Sequence, residues 1–272
     1  MNDDFPWRKH TNNELLKEYD RVKNKLKKLK INFPLLYSKI GFKCSNIFFQ
    51  YERMNTPGFN RGSTIEYWNK KKSIVTKFSE KQNRDIFSTL NFFNHSPSQF
   101  PTITAGQIYK YFGATKIFDP FAGWGDRCLA AMALDIDYIG IDCNQHLKEP
   151  FNNLIKMYKT NSSIDIIFDK CENINIDVFE FDLVFTSPPF WTKDKKKIYE
   201  RYNNIEKDYN IFLNDSLIPV LKKCLKRNIW VCLYIPEDMY NDIKNIIGIC
   251  QKEILFKTSN LRTGNIYCWK KL

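Results

Sequence analysis

The spacing of apolar positions changes character near residue 100. Before it the pattern is helical. Leu15, Leu16, Tyr19, Val22, Leu26 and Leu29 follow a Thr11-x-x-Glu14 capping box and predict one amphipathic helix to about Lys30. From Pro34 to about Gly62 the pattern is irregular, with Pro57-Gly58 marking a turn, and 65–90 reads as a second helix. Residues 94–101 read as a loop and 102–112 as a helix leading into the first strand. Beyond that point short apolar runs alternate with helical patterns. Strands are predicted at 116–119, 138–142, 164–168, 183–186, 228–235, 253–257 and 265–270, with helices at 126–134, 147–160, 211–225 and 239–247. Strands separated by helices predict βαβ units and a parallel sheet, with the last two strands as an antiparallel pair.

Charge divides the chain at nearly the same place. Residues 1–100 hold 19 Lys/Arg against 9 Asp/Glu, whereas 101–272 hold 23 against 21, within a net charge of +12. A general lysine bias would raise both parts alike, so the imbalance points to a polyanionic partner, most simply nucleic acid. We therefore expect a basic, mainly helical region at 1–95 and a sheet domain at 96–272. The first helix carries Lys17, Arg21, Lys23, Lys25, Lys27, Lys28 and Lys30 on its polar face. Arg53, Arg61, Lys70, Lys71 and Lys72 interleave with Tyr51, Phe59, Tyr67 and Trp68, which suits a nucleic-acid groove or, equally, an ordinary aromatic core. The longest apolar stretch, near 229–235, is too short for a transmembrane helix, and the N-terminus has no signal-peptide pattern, so no membrane partner and an intracellular location are expected. Eight cysteines without Cys-x-x-Cys spacing and three histidines predict no zinc site, and His95 is read as structural.

Two apolar runs end in residues that no buried strand could use. Ile117-Phe118-Asp119-Pro120-Phe121-Ala122-Gly123-Trp124-Gly125-Asp126 turns through two glycines, whose missing Cβ atoms let the backbone bend and approach a ligand. Phe181-Asp182-Leu183-Val184-Phe185-Thr186-Ser187-Pro188-Pro189-Phe190 ends in a turn stiffened by two prolines. A dinucleotide site would need a third glycine where Cys128 stands, and a phosphate loop would need Gly-Lys-Ser/Thr. Asp142, at the end of the next strand, suits paired hydrogen bonds to a ribose diol. Gly turn and ribose acid together imply a nucleoside cofactor without phosphate machinery, bound beside a second, reactive turn.

The two motifs in this order resemble those of the class I S-adenosylmethionine-dependent methyltransferases, within them the DNA amino-methyltransferases, and the string Ala122 to Arg127 also resembles methyltransferase-like proteins of phages and large viruses. The resemblance covers about residues 100–271. It implies an α/β fold with a Rossmann-like, seven-stranded, mostly parallel sheet and S-adenosyl-L-methionine as cofactor. It puts Asp119, Phe121, Gly123 and Gly125 around the methionine part, with Phe100 in an element that cradles it. Asp142 would take the ribose and Asp169 the adenine, with Asp165 and Glu172 competing for that last role. Ser187, Pro188, Pro189 and Phe190 would act on the substrate: Ser187 and the Pro188 carbonyl accept hydrogen bonds from an exocyclic amino group, and Phe190 stacks on the base. Methyl transfer is then a direct in-line displacement on cytosine-N4 or adenine-N6, with a slight lean to cytosine, and the base must be flipped or single-stranded. No cysteine lies beside a proline in a motif suited to carbon-5 chemistry. Nucleic-acid contacts are expected from Lys70, Lys71 and Lys72 and from Lys195, Lys196, Lys197 and Arg201 in a loop over the site. DNA is the favoured substrate, with RNA base methylation as the alternative and a catalytically idle binding subunit as a further one.

Overall fold

A computed structural model describes residues 4–57, 62–94, 96–190, 208–258 and 263–270. Its centre is a seven-stranded sheet in the order β3-β2-β1-β4-β5-β7-β6. The strands are β1 (Lys116–Asp119), β2 (Asp137–Ile141), β3 (Ile164–Ile167), β4 (Leu183–Thr186), β5 (Trp230–Tyr234), β6 (Lys252–Lys257) and β7 (Thr263–Trp269). The first five run parallel, and β7 lies antiparallel between β5 and β6. This is the Rossmann-like, mostly parallel sheet expected above. The order reverses between β1 and β4, which makes their carboxyl ends the topological switch point, where open α/β sheets form their ligand crevice. β1 and β4 can lie at the centre because they are apolar on both faces: Ile117, Phe118, Leu183, Val184 and Phe185 are all fully buried.

Helices cover both faces. One face packs against α1 (Asn12–Lys28), α2 (Phe42–Asn55), α5 (Thr102–Phe112), α6 (Asp126–Ala133) and α7 (Lys148–Met157), and the other against α8 (Tyr209–Ile211), a π-helical segment at Phe212–Leu217, α9 (Ile218–Leu225) and α10 (Glu237–Ile247). Val22 and Leu26 of α1 are fully buried, each contributing about 1.5–3 kcal/mol by burial. Leu26 lies where a Cβ on Gly106 of α5 would stand, so that glycine lets the two helices meet closely. α1 and α2 thus share the main core with α5 to α7, and the division at residue 95 drawn from charge is not a division in packing. Only α3 (Thr64–Lys81) and α4 (Ile86–Phe93) build a separate small cluster, around Phe5, Met54, Trp68, Phe87 and Leu90.

Two helix expectations change. α2 occupies a stretch with no apolar period, and the single helix expected at 65–90 is two. Asn83 adopts φ 48°, a left-handed turn that ends α3, and the Asp85 side chain then caps α4 by accepting from the N–H groups of Phe87 and Ser88. Among the described residues no helix is long and apolar enough to cross a membrane.

Candidate functional site

The loop after β1 and the turn after β4 border one cavity of about 980 Å³ at the switch point. Phe100, Phe121, Gly123 and Asp142 line it together with Ser187, Pro188, Pro189 and Phe190. Two strands separated in sequence by two helices, two strands and several turns are neighbours in the sheet, and this brings the two motifs together.

The loop is shaped from beneath. Ala122 donates its N–H to the Ile141 carbonyl at 2.8 Å, which ties the loop to the end of β2. Gly140 makes room for it, since a Cβ there would stand 3.1 Å from that of Ala122 and 2.7 Å from the Tyr138 ring. Gly123 has φ 62°, donates its N–H to Asp142 Oδ2 at 2.8 Å, and has no atom nearer than 3.8 Å to the position of a Cβ. Gly125 has φ 76° for another reason. A Cβ there would meet the Phe49 ring of α2 at 2.7 Å, so this glycine serves packing of α2 on α6 and does not line the cavity.

Asp119 also departs from expectation. It is fully buried beneath the loop and accepts five hydrogen bonds: from Thr186 Oγ1, Arg127 Nε and Tyr138 Oη, each at 2.6 Å, and from Arg127 Nη2 and the Phe121 N–H, each at 3.3 Å. Arg127 is buried as well. Burial works against its charge, but Asp119 beside it outweighs that and holds the guanidinium above its ordinary value. Arg127 also donates to the Phe121 carbonyl, so the pair clamps the loop to β4; Asp119 itself does not line the cavity, whereas Arg127 does. Spacing in the sequence carries no sign of this role.

Asp142 is the acid that does face the cavity. Its two oxygens accept one backbone N–H each, from Gly123 and from Asn144 at 2.9 Å, leaving further lone pairs for a ligand. Burial pushes its carboxyl up to about 6 against those two donors. Asp126, at the first turn of α6, is a further cavity acid; it closes the first motif in sequence, which assigned it no role. It accepts from Ser45 Oγ at 2.6 Å and Gln99 Nε2 at 3.1 Å, and burial pushes it up to about 7. Cys143 lines the same wall, and burial raises its thiol to about 12, which keeps it protonated.

Next to the Pro-Pro turn an aromatic group closes the floor. Phe190 meets Tyr234 edge-on at 5.0 Å between ring centroids, and Tyr234 in turn contacts Phe256 at 4.9 Å and Phe100 at 5.5 Å. All four line the cavity, and Tyr234 and Phe256 had no sequence motif to mark them.

Asp169 is not brought to the cavity. It is exposed, and its Oδ1 accepts from the Lys170 N–H and from Asn173 Nδ2, which shapes its own turn. Neither Asp165 nor Glu172 lines the cavity. Lys70, Lys71 and Lys72 are exposed on α3 away from the cavity, with Lys72 paired to Asp4, and α3 is non-helical at Lys71. Of the interleaved aromatics, Trp68 is core and Tyr67 stacks on Phe93, so they resolve as packing. Phe59, Arg61, His95, Lys193, Lys195, Lys196, Lys197 and Arg201 lie outside the described residues. Among the described residues no group of three or more His, Cys, Asp or Glu is arranged to hold a metal.

The sequence matches no protein-family model and no curated protein. The fold is similar to that of solved structures. The Pyrococcus abyssi tRNA (uracil-54, C5)-methyltransferase in complex with S-adenosyl-L-homocysteine is 14% identical, with 64% of this chain and 40% of that one covered and a TM-score of 0.41. The M. jannaschii tRNA m1G37 methyltransferase is 16% identical, covering 64% and 51% at a TM-score of 0.41. The human methyltransferase 10 domain containing protein is 10% identical, covering 65% and 85% at 0.47. The chain spans about half or less of the length of the first two.

Proposed function

We propose that the chain is an S-adenosylmethionine-dependent methyltransferase that modifies an exocyclic amino group of a base in DNA, cytosine-N4 or adenine-N6. The observation that carries this reading is that Gly123, Asp142 and the Ser187–Phe190 turn border one cavity at the sheet's switch point. The residues present fit the cofactor. Gly123 leaves open the space a side chain would fill, and Asp142 retains lone pairs that a ribose diol would use. The bound cofactor supplies an electrophilic methyl group on a sulfonium.

The remaining work falls to the protein. The lone pair of a base amino nitrogen is delocalised into the ring and is a weak nucleophile. The Ser187 hydroxyl and the Pro188 carbonyl accept its two N–H bonds and draw the nitrogen towards tetrahedral geometry. Pro188 is buried and Pro189 follows it, so the accepting carbonyl is held with its φ fixed and needs no reorganisation. Phe190, braced edge-on by Tyr234, offers its face to the base. A base stacked in a duplex cannot enter such a cavity, so the substrate is flipped or single-stranded.

Incubation with labelled S-adenosylmethionine and DNA, RNA or peptide, followed by mass identification of the modified nucleoside, tests the reading. N4-methylcytosine or N6-methyladenine from DNA is expected; the same modification made only on RNA would move the substrate to RNA, and label in peptide alone would sink the reading. Ser187→Ala and Phe190→Ala should each lower the transfer rate by about 10²–10³-fold with cofactor affinity nearly intact. Loss of cofactor binding in both variants would show that the turn has been given the wrong role.

A further inference from the structure

The cavity has a second wall that neither motif accounts for. Arg8 and His10 reach it from the segment before α1, Arg21 from α1, and Lys39 and Lys43 from either side of Gly41, where α2 begins. These residues line the same cavity as Ser187 to Phe190, yet none belongs to the sheet. Two of the cations are already matched: Arg8 pairs with Asp85 at 3.1 Å and Arg21 with Glu18 at 2.7 Å. Lys39 and Lys43 are exposed, and neither forms an ion pair among the described residues. Tyr37 lies two residues before Lys39 and Phe42 directly before Lys43; both rings line the cavity and meet edge-on at 6.5 Å.

On the functional reading above, on which this rests, we infer that the α1–α2 wall is a track for the phosphodiester backbone of a single strand, with Lys39 and Lys43 as its phosphate contacts and Tyr37 and Phe42 as stacking surfaces for flanking bases. Cations alternating with rings along a groove is the arrangement that grips a strand without reading its sequence. The direction of His10 agrees. Burial first, then Lys43 and Arg8, hold its pKa below the ordinary value despite Glu14 and Glu18 nearby, so both cations lie close enough to act on it. The geometry also separates this site from α3, one of the two places where the sequence had placed nucleic-acid contacts. No residue of α3 lines the cavity, whereas Arg21 of α1 and Phe42, Lys43, Asn46 and Arg53 of α2 do.

Fluorescence anisotropy with short single strands of one sequence, as DNA and as RNA, at several salt concentrations tests this on the full chain. Lys39→Ala/Lys43→Ala should weaken binding and reduce the slope of log affinity against log salt by about 1.4, at about 0.7 for each phosphate of a single strand that is no longer neutralised. Lys70→Ala/Lys71→Ala should leave both unchanged, and calorimetric S-adenosylmethionine affinity should be the same in both variants, showing the fold intact. An unchanged slope in the Lys39/Lys43 variant, a loss confined to the Lys70/Lys71 variant, or binding of a polyglutamate peptide as tight as that of either strand overturns the inference. If the wild type methylates a strand while the Lys39/Lys43 variant keeps the full slope, only this inference fails. If the wild type transfers methyl to neither strand, the functional reading fails first.

Discussion

Two regions lie at the ends of the neighbouring strands β1 and β2, and both present an acid. Beneath the glycine loop, Asp119 is fully buried with its lone pairs taken by Arg127, Tyr138, Thr186 and the Phe121 N–H. Above it, Asp142 borders the cavity with two backbone donors only. In sequence the two look alike, each an acid closing an apolar run. Only the three-dimensional surroundings show that one builds the loop and the other is available to a ligand. The region below is a saturated ion pair whose disruption leaves a charge stranded; the region above is polar surface whose alteration changes what binds.

The widest gap between the two should appear when each acid is removed. Asp119→Ala leaves Arg127 buried and unpaired, and breaking such a pair by deleting one partner costs about 3–5 kcal/mol. Asp142→Ala leaves two loop N–H groups without an acceptor and should cost about 1–2 kcal/mol. Urea denaturation measures both. Calorimetry with S-adenosylmethionine should reverse the order, with Asp142→Ala abolishing binding in protein that is still folded. Equal stability losses would erase the distinction between the two regions.

The glycines sharpen the same contrast at smaller scale. Gly125→Ala meets two penalties: a left-handed φ, about 1–2 kcal/mol for a residue with a Cβ, and a clash with the Phe49 ring that must be relieved, about 1–3 kcal/mol. Gly123→Ala meets the first only, because the space is open. Gly125→Ala should therefore be the less stable protein and Gly123→Ala the poorer cofactor binder. Adding Phe49→Leu to Gly125→Ala should recover part of the stability. No recovery would mean that the loop, and not α2, sets the requirement for Gly125.

How much of this was legible in the sequence follows from which residues touch water. β1 and β4 coincide with the predicted 116–119 and 183–186, because strands buried on both faces must be unbroken apolar runs and here each run ends in a proline-containing turn. α2 was invisible because much of its buried surface is polar. Ser45, Asn46, Gln50 and Arg53 are all buried there, and they serve Asp126, the Arg8 backbone and the Ser96–Pro97 loop. A hydrophobic period cannot reveal a helix whose inner face is built for hydrogen bonds. The run Lys70 to Lys72 is conspicuous in sequence but does not line the cavity, whereas Lys39 and Lys43, isolated in sequence, both line it on either side of Gly41. The clamp on Asp119 was out of reach, since its donors lie 2, 8, 19 and 67 positions away.

The last contrast separates two of the acids that line the cavity, Asp126 and Asp142, by pH. Asp126 is raised from 3.8 to about 7, and Asp142 from 3.8 to about 6, in both cases chiefly by burial. A carboxyl whose folded value is raised binds its proton more tightly in the native state than in the unfolded one. Its ionisation then costs stability progressively as pH rises from the unfolded value to the folded one, with a limiting slope of about 1.4 kcal/mol per pH unit for each proton. Below pH 3.8 neither acid contributes, and above pH 7 both contributions are complete. The groups facing Asp126 are Ser45 from α2, Gln99 from the loop before α5, and the Arg53 and Arg127 guanidiniums, none of which changes charge in that window. Asp126→Asn keeps the shape and removes the titration, so the difference between wild-type and variant stability should fall steadily from about pH 4 to about pH 7 and be flat beyond. For Asp142→Asn the difference should flatten earlier, near pH 6. Stability curves that run parallel for wild type and Asp126→Asn from about pH 5 to about pH 8 would mean that this carboxyl is ionised throughout. The cavity wall beside Gln99 would then carry a fixed negative charge, and the contrast between a saturated floor and a titrating wall would have to be drawn from Asp142 alone.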